Sequence, residues 1–115
     1  VKLDRAAAAS DGRIRLIRTR GDLAALLAQR RHGLPRTGAL FSVEGLHNLE
    51  GDFANLDRLY DAGVRMAGLT HFFDNEIAGS MHGVNKGGLT PLGRRVVREM
   101  ERRGMVIDIA HCSHA

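Results

Sequence analysis

Three side chains that can bind a metal ion or transfer a proton close three apolar stretches of this sequence. Glu44 ends residues 39–44, and His71 and His111 end two later stretches. A buried carboxylate is costly unless it meets a cation, a metal ion or several hydrogen-bond donors. Glu44 is therefore predicted to be either a structural ion-pair partner or a metal ligand. Because carboxylate oxygen and neutral imidazole nitrogen both bind zinc, the three residues together are suited to a zinc site.

Residues 39–44 are predicted to form a buried strand whose alternate side chains share a face. The more polar face ends in the carboxylate and consists of Leu40, Ser42 and Glu44. The opposite face consists of Ala39, Phe41 and Val43. The strand is therefore expected to present Glu44 at its carboxyl end.

Hydrophobic periodicity predicts four strands separated by three helices. The strands are expected at residues 13–18, 39–44, 64–71 and 105–111. The helices are expected to begin at the capping residues Thr19, Asp52 and Thr90 and to end at Gly33, Gly63 and Gly104. An alanine-rich stretch before residue 10 has the composition of the end of another helix. Residues 72–88 form a long glycine-rich connection, which is either a functional loop or a mobile insertion.

The alternation of strands and helices is typical of an α/β protein built from parallel βαβ units. Two architectures fit this order, an open doubly wound sheet and a (β/α)8 barrel. No glycine-rich nucleotide-binding motif follows a strand, and polar groups that end three strands at the same edge favour the barrel. Because a complete barrel needs roughly 250 residues, the 115 residues of this chain are expected to form a partial barrel of about four βα units.

Composition argues against several classes of function. The net charge of +4 is distributed along arginine-rich helix faces and aromatic residues are few, which is not typical of a nucleic-acid interface. No apolar run is long enough to span a membrane, and no secretory signal is visible, so the cellular location is left open. The single cysteine, Cys112, is predicted to be a small packed residue, with a thiolate ligand as the alternative. His47, His82 and His114 are predicted to be surface or hydrogen-bonded histidines.

Five motifs of the sequence occur in an order that is found in one enzyme family. They are FSVEGLH (residues 41–47), DRLYDAGVR (57–65), LTH (69–71), GGLTPLG (87–93) and VIDIAH (106–111). From about Arg13 to the C-terminus the sequence resembles the membrane dipeptidase family, also called renal dipeptidase or peptidase family M19. Several motifs in the right order are far more specific than any one of them.

The resemblance implies a (β/α)8 barrel of the metal-dependent hydrolase type, with residues 1–115 as a fragment of that single domain. It implies two zinc ions that activate a shared hydroxide against the peptide bond of a dipeptide substrate. Glu44 then takes the place of the carboxylate that bridges the ions, and His111 that of a ligand of one zinc. His71 takes the place of a catalytic histidine that contacts the substrate and stabilises the tetrahedral oxyanion.

The sequence departs from the family pattern at several points. The first strand of the family brings a His-x-Asp pair to the metal ions, and no such pair occurs here. A second histidine and an aspartate are expected on later strands, beyond Ala115, and His114 follows His111 too closely to replace that histidine. The loop after His71 also differs, with Phe72-Phe73-Asp74-Asn75 where smaller polar residues are frequent, which leaves the substrate preference open.

The main hypothesis is therefore the central part of a zinc dipeptidase. Two alternatives remain at this point, a non-enzymatic binding or truncated fragment and another metal-dependent amidohydrolase on the same barrel. The chain alone is expected to bind zinc weakly and to lack activity. Its open strand edges at residues 13–18 and 105–111 predict self-association or a loosely packed monomer.

Overall fold

A computed structural model describes residues 2–115, in which strands and helices alternate as predicted except where two short strands follow each other at residues 37–43. The chain divides into two compact units, one that ends at Phe41 and one that begins at Ser42. None of the helices in the described residues is both long enough and apolar enough to cross a membrane. The single barrel domain expected from the sequence stays a prediction.

The first unit contains two helices and two short strands. They are α1 (Lys2–Ala9), β1 (Ile14–Leu16), α2 (Arg20–Arg31) and β2 (Thr37–Ala39). The strands pair in parallel, with Ile14 opposite Thr37 and Leu16 opposite Ala39. Helix α1 agrees with the alanine-rich composition of its sequence, and the βαβ order of the next three elements confirms the first predicted unit.

Helix α2 begins at its predicted cap. The hydroxyl of Thr19 accepts a hydrogen bond from the backbone N–H of Asp22, and the Asp22 carboxylate accepts one from the backbone N–H of Thr19. This capping box satisfies two of the N–H groups that a helix start leaves without partners. Leu26 is the buried residue of the helix, so a local signal fixes where this element starts and a single leucine anchors it.

The second unit contains three strands, two α-helices and a short 3₁₀ helix, and the first of these strands starts one residue before the unit does. They are β3 (Phe41–Val43), the 3₁₀ helix (Leu46–Leu49), α3 (Asn55–Asp61), β4 (Val64–Gly68), α4 (Pro91–Arg102) and β5 (Val106–Asp108). The sheet order is β3-β4-β5, and β4 pairs with β5 in parallel. Its core consists of fully buried side chains, among them Leu46, Leu49, Leu56, Ile77, Val96 and Met100. This unit holds every predicted site residue.

The strand predicted at residues 39–44 is two strands, and the prediction of one continuous buried strand was wrong. β2 pairs with β1 whereas β3 pairs with β4, and Leu40 lies between them. The predicted alternation is nevertheless confirmed, since Ala39, Phe41 and Val43 are half-buried while Leu40, Ser42 and Glu44 are exposed. The Glu44 side chain is 67% exposed because no described element covers that face.

The other boundaries differ from the predictions by a few residues. Helix α3 begins at Asn55 rather than directly after Asp52, because the Asp52 carboxylate accepts a hydrogen bond from the backbone N–H of Ala54 and holds a turn there. Helix α4 begins at its predicted cap, where the Thr90 hydroxyl accepts from the backbone N–H of Gly93. β4 and β5 end before the site histidines, so both histidines lie on the segments that follow the strands.

Candidate functional site

The three predicted site residues meet at one point of the second unit. The Oε1 atom of Glu44 lies 3.5 Å from Nε2 of His71 and 3.4 Å from Nε2 of His111. The candidate ligand atoms of the three residues all lie within 4.8 Å of one another. We call Glu44, His71 and His111 the Glu–His–His cluster. Its members follow β3, β4 and β5, so the three-stranded sheet brings them together.

Backbone hydrogen bonds connect the segments that carry the cluster. The N–H of Leu46 donates to the carbonyl of Leu69, and the N–H of Leu69 donates to the carbonyl of Asp108. The three segments therefore remain hydrogen-bonded to one another just beyond the ends of their strands. This alignment positions three side chains from distant parts of the sequence with little freedom of the backbone between them.

Gly45, directly after Glu44, permits the close approach of the segments that follow β3 and β4. Its φ of +92° is unfavourable for a residue with a side chain. A Cβ atom at this position would lie 2.8 Å from Nδ1 of His47 and 3.2 Å from Cβ of His71. Position 45 therefore requires glycine, because any larger residue would collide with His47 and crowd His71.

The nitrogen atoms of the two imidazoles differ in their surroundings. Nε2 of each ring faces the Glu44 carboxylate, and the two rings meet edge to face with centroids 4.7 Å apart. Nδ1 of His111 is buried and has no hydrogen-bond partner among residues 2–115. One carboxylate oxygen and two imidazole nitrogens thus converge from three directions. This donor set fits zinc, which binds carboxylate and imidazole in closely spaced groups.

The long connection at residues 72–88 is an ordered loop built around the Asp74 carboxylate. The backbone N–H groups of Ser80 and Asn85 donate to its two oxygens at 2.8 Å each. Hydrogen bonds from Asn85 and then Ser80 lower the pKa of the Asp74 carboxyl group. A Cβ atom at Gly83 would lie 2.0 Å from Oδ1 of Asp74, so the loop can close on the carboxylate only with glycine there.

The same loop holds the backbone of both site histidines. The hydroxyl of Ser80 donates to the carbonyl of His71 at 2.5 Å, and the N–H of Met81 donates to the carbonyl of His111 at 2.9 Å. The Ser80 hydroxyl also accepts from the N–H of His82 at 3.1 Å. The loop therefore supports the backbone of the site, which favours the prediction of a functional loop over that of a mobile insertion.

Several residues beside the cluster were not predicted to belong to the site. The ring centroid of His82 lies 5.9 Å from that of His111 and 5.5 Å from that of Phe72, although His82 is exposed as predicted. His47 lines a pocket together with His71. The sequence signals that point to this loop are its length and its mixture of glycine with Asp, Asn and Ser.

The remaining candidates lie outside the cluster. Cys112 accepts a hydrogen bond from the hydroxyl of Thr70, with 3.7 Å between oxygen and sulfur, and is half-buried. This environment agrees with the prediction of a packed residue. His114 is exposed. Neither residue belongs to the group of the described residues that could hold a metal ion.

Known proteins resemble this chain in both sequence and fold. Residues 2–115 match the membrane dipeptidase family, peptidase family M19. An uncharacterized dipeptidase of Schizosaccharomyces pombe is 45% identical over 76 residues, which cover 64% of this chain and 18% of that protein. The dipeptidase aclJ of Aspergillus oryzae is 40% identical over 86 residues, which cover 73% of this chain and 20% of aclJ.

A solved structure shows the fold independently of close sequence similarity. It is a metallo peptidase from Rhodobacter sphaeroides, liganded with a phosphinate mimic of the dipeptide L-Ala-D-Ala. The likeness has a TM-score of 0.80 at 22% identity and covers 98% of this chain and 32% of that chain. It confirms the predicted fold class, an α/β part of a (β/α)8 barrel.

The chain spans about a fifth of the length of the curated relatives that it matches. The family match nevertheless extends over every residue that the structure describes. The motifs that carried the resemblance include all three members of the Glu–His–His cluster, on the segments after β3, β4 and β5. The chain therefore belongs to the membrane dipeptidase family, peptidase family M19.

Proposed function

We propose that the protein containing this chain hydrolyses the peptide bond of dipeptides with zinc as its cofactor. The observation that carries the proposal is the convergence of Glu44, His71 and His111 within 4.8 Å in a member of this family. The dipeptide mimic bound by the metallo peptidase of Rhodobacter sphaeroides supports a dipeptide as the substrate. The donor types of the cluster support zinc.

Each member of the cluster has a proposed role. Glu44 would be the carboxylate shared by two zinc ions, and His111 would be a ligand of one of them. The chemistry that zinc supplies when bound is the activation of water and the polarisation of the substrate carbonyl. The exposed Glu44 carboxylate lies between the two imidazoles. It is therefore the group of this chain that is best placed to offset the charge of two cations.

His71 is proposed to act on the substrate rather than on the metal. A neutral imidazole with a proton on Nε2 can donate a hydrogen bond to the oxyanion that develops when the carbonyl is attacked. Nε2 of His71 faces the Glu44 carboxylate at the centre of the cluster. The Ser80 hydroxyl donates to the backbone carbonyl of His71 and so fixes the backbone from which the ring extends. A ligand role for His71 is the rival, since its nitrogen also lies within the metal-binding group.

The chain on its own offers an incomplete metal site. It contains no His-x-Asp pair, so the Glu–His–His cluster supplies at most part of the ligands for two zinc ions. We expect residues 1–115 alone to bind zinc weakly and to have no measurable dipeptidase activity. Dipeptide hydrolysis by the purified chain, abolished by a chelator and restored by zinc, would contradict this expectation.

The experiment for the proposed function uses the full-length protein. Dipeptides and cyclic amides are offered to the zinc-loaded enzyme and to the same enzyme after chelation. Hydrolysis of dipeptides alone, with zinc dependence, is the expected result. Hydrolysis of cyclic amides alone would instead indicate another metal-dependent amidohydrolase, and no hydrolysis of either class would indicate a non-catalytic protein.

A further inference from the structure

Two phenylalanines directly after His71 are exposed beside the cluster. Phe72 is 52% exposed and Phe73 is 80% exposed. The Phe72 ring stacks at a tilt on the His71 ring, with centroids 4.2 Å apart. Adjacent large apolar side chains that face solvent next to a polar site are typical of a binding surface, since burial is their usual state.

The two rings form one wall of a pocket. The pocket has a volume of about 350 Å³ and is lined by His47, His71, Phe72, Phe73, Asp74 and Asn75. This volume lies at the small end of the range for small-molecule sites. Because His71 belongs both to this lining and to the Glu–His–His cluster, a molecule in the pocket would extend to the proposed reaction centre.

The pocket is preformed, because the residues after the phenylalanines are fixed by hydrogen bonds. The Asn75 side-chain amide donates to the carbonyl of Leu69 at 2.9 Å, and its oxygen accepts from the N–H of Ile77 at 2.8 Å. The neighbouring Asp74 is held by the backbone N–H groups of the loop. The exposure of the phenylalanines is thus a property of a rigid loop.

The negatively charged group in the pocket lining, the Asp74 carboxylate, already accepts hydrogen bonds within the loop. Both oxygens of the Asp74 carboxylate accept hydrogen bonds from the backbone N–H groups of Ser80 and Asn85. These donors offset part of the negative charge, which weakens the attraction of Asp74 for a lysine or arginine side chain of a substrate. What remains for a side chain in the pocket is the apolar surface of the two phenylalanine rings.

We propose that the pocket formed by Phe72 and Phe73 receives an apolar side chain of the dipeptide, so that the enzyme prefers dipeptides with a leucine-sized or aromatic residue. This inference rests on the proposed function and names the substrate class of the same site. Phe73 is a specificity-determining residue in this view, because it adds apolar contact area to bulky substrates and none to glycine.

The test compares Phe73→Ala with the unmodified full-length protein on two series of dipeptides. The first residue of the dipeptide is varied through Gly, Ala, Leu, Phe and Lys in one series, and the second residue is varied in the same way in the other. We expect kcat/KM for Leu or Phe dipeptides of one series to fall about tenfold or more, with Gly and Ala dipeptides changed by less than about twofold. Phe73→Leu should restore most of the preference. Val84→Ala is the matched control, since Val84 is 95% exposed on the same loop and is not part of the pocket lining.

A second measurement separates this inference from the proposed function. Calorimetry with the metal-free protein measures the binding of Leu and Phe dipeptides without any turnover, and Phe73→Ala should weaken it about tenfold. If the protein hydrolyses no dipeptide but loses this binding in Phe73→Ala, the pocket stands and the proposed activity fails. An equal loss on all dipeptides, no loss at all, or a lowered Tm that shows Phe73 to be packed would each overturn the pocket.

Discussion

At the residue scale, the site depends on one carboxylate and two imidazoles whose types were visible in the sequence. Glu44, His71 and His111 each follow an apolar run, and that position was enough to predict that they meet. Their exposure was not predictable in the same way. A carboxylate at the end of an apolar run was expected to be buried, yet Glu44 is 67% exposed because burial depends on which elements cover a face.

Replacement of His71 separates its two possible roles. His71→Ala in the full-length protein should lower kcat by about 10² to 10³, because it removes a donor to the developing oxyanion. Zinc content should stay at the level of the unmodified protein. Metal analysis of the purified variant, beside its steady-state kinetics, measures both. A loss of zinc that accompanies the loss of activity would assign His71 to the metal instead.

At the element scale, local signals predicted helix starts well and strand limits poorly. Thr19 with Asp22, and Thr90 before Pro91, act within one turn, so the sequence alone locates both caps. The division of residues 39–44 into β2 and β3 depends instead on pairing with two different neighbours. The ordered loop depends on contacts such as Asn85 with Asp74, eleven residues apart, which no local pattern encodes.

The pH dependence of the loop follows from the lowered pKa of Asp74. Its ordinary pKa is 3.8, and hydrogen bonds to Asn85 and Ser80 lower it in the folded loop. A lowered folded-state pKa stabilises the fold above the ordinary value, and this contribution is lost as pH falls from 3.8 through the lowered pKa. We therefore expect the protection factors of the Ser80 and Asn85 amides, which are exchange rates corrected for the intrinsic effect of pH, to fall across that acidic window.

Asp74→Asn tests the cause of this behaviour. The neutral side chain is a weaker acceptor, so the Ser80 and Asn85 amides should have lower protection factors at neutral pH, and those factors should no longer fall in acid. Asp61→Asn, at the exposed end of α3, is the matched control and should leave the loop unchanged. Unaltered exchange in Asp74→Asn would show that the loop does not depend on the carboxylate.

At the scale of the whole molecule, the chain has the elements of a barrel part and an open apolar strand. Val106 is 52% exposed and Ile109 is 68% exposed, and Asp108 is the one charged residue between them. Exposed strands of this kind favour pairing with another chain. The family and the predicted fold class were accessible from the sequence because they depend on ordered motifs and on the alternation of elements.

Residues 1–115 in isolation are expected to self-associate through this strand or to remain a loosely packed monomer. Sedimentation at several concentrations should show a mass that rises with concentration, or else amide exchange at residues 106–110 should be fast. Val106→Lys should reduce any association, because it places a charge at the exposed edge. A monomer at all concentrations with a strongly protected last strand would contradict the expectation.

Glu44→Gln in the full-length protein tests most directly the proposal that Glu44 and His111 of the Glu–His–His cluster bind the metal ions of a dipeptidase. The amide keeps the shape of the side chain and removes the charge that offsets the metal ions. Because Glu44 is exposed, the unfolding free energy of the metal-free protein should change by less than about 0.5 kcal/mol.

The decisive measurement is the zinc content of the purified Glu44→Gln variant together with its turnover of a dipeptide. We expect both the zinc content and most of the activity to be lost while the circular dichroism spectrum stays unchanged. Two zinc ions per chain with the turnover of the unmodified enzyme would contradict the account.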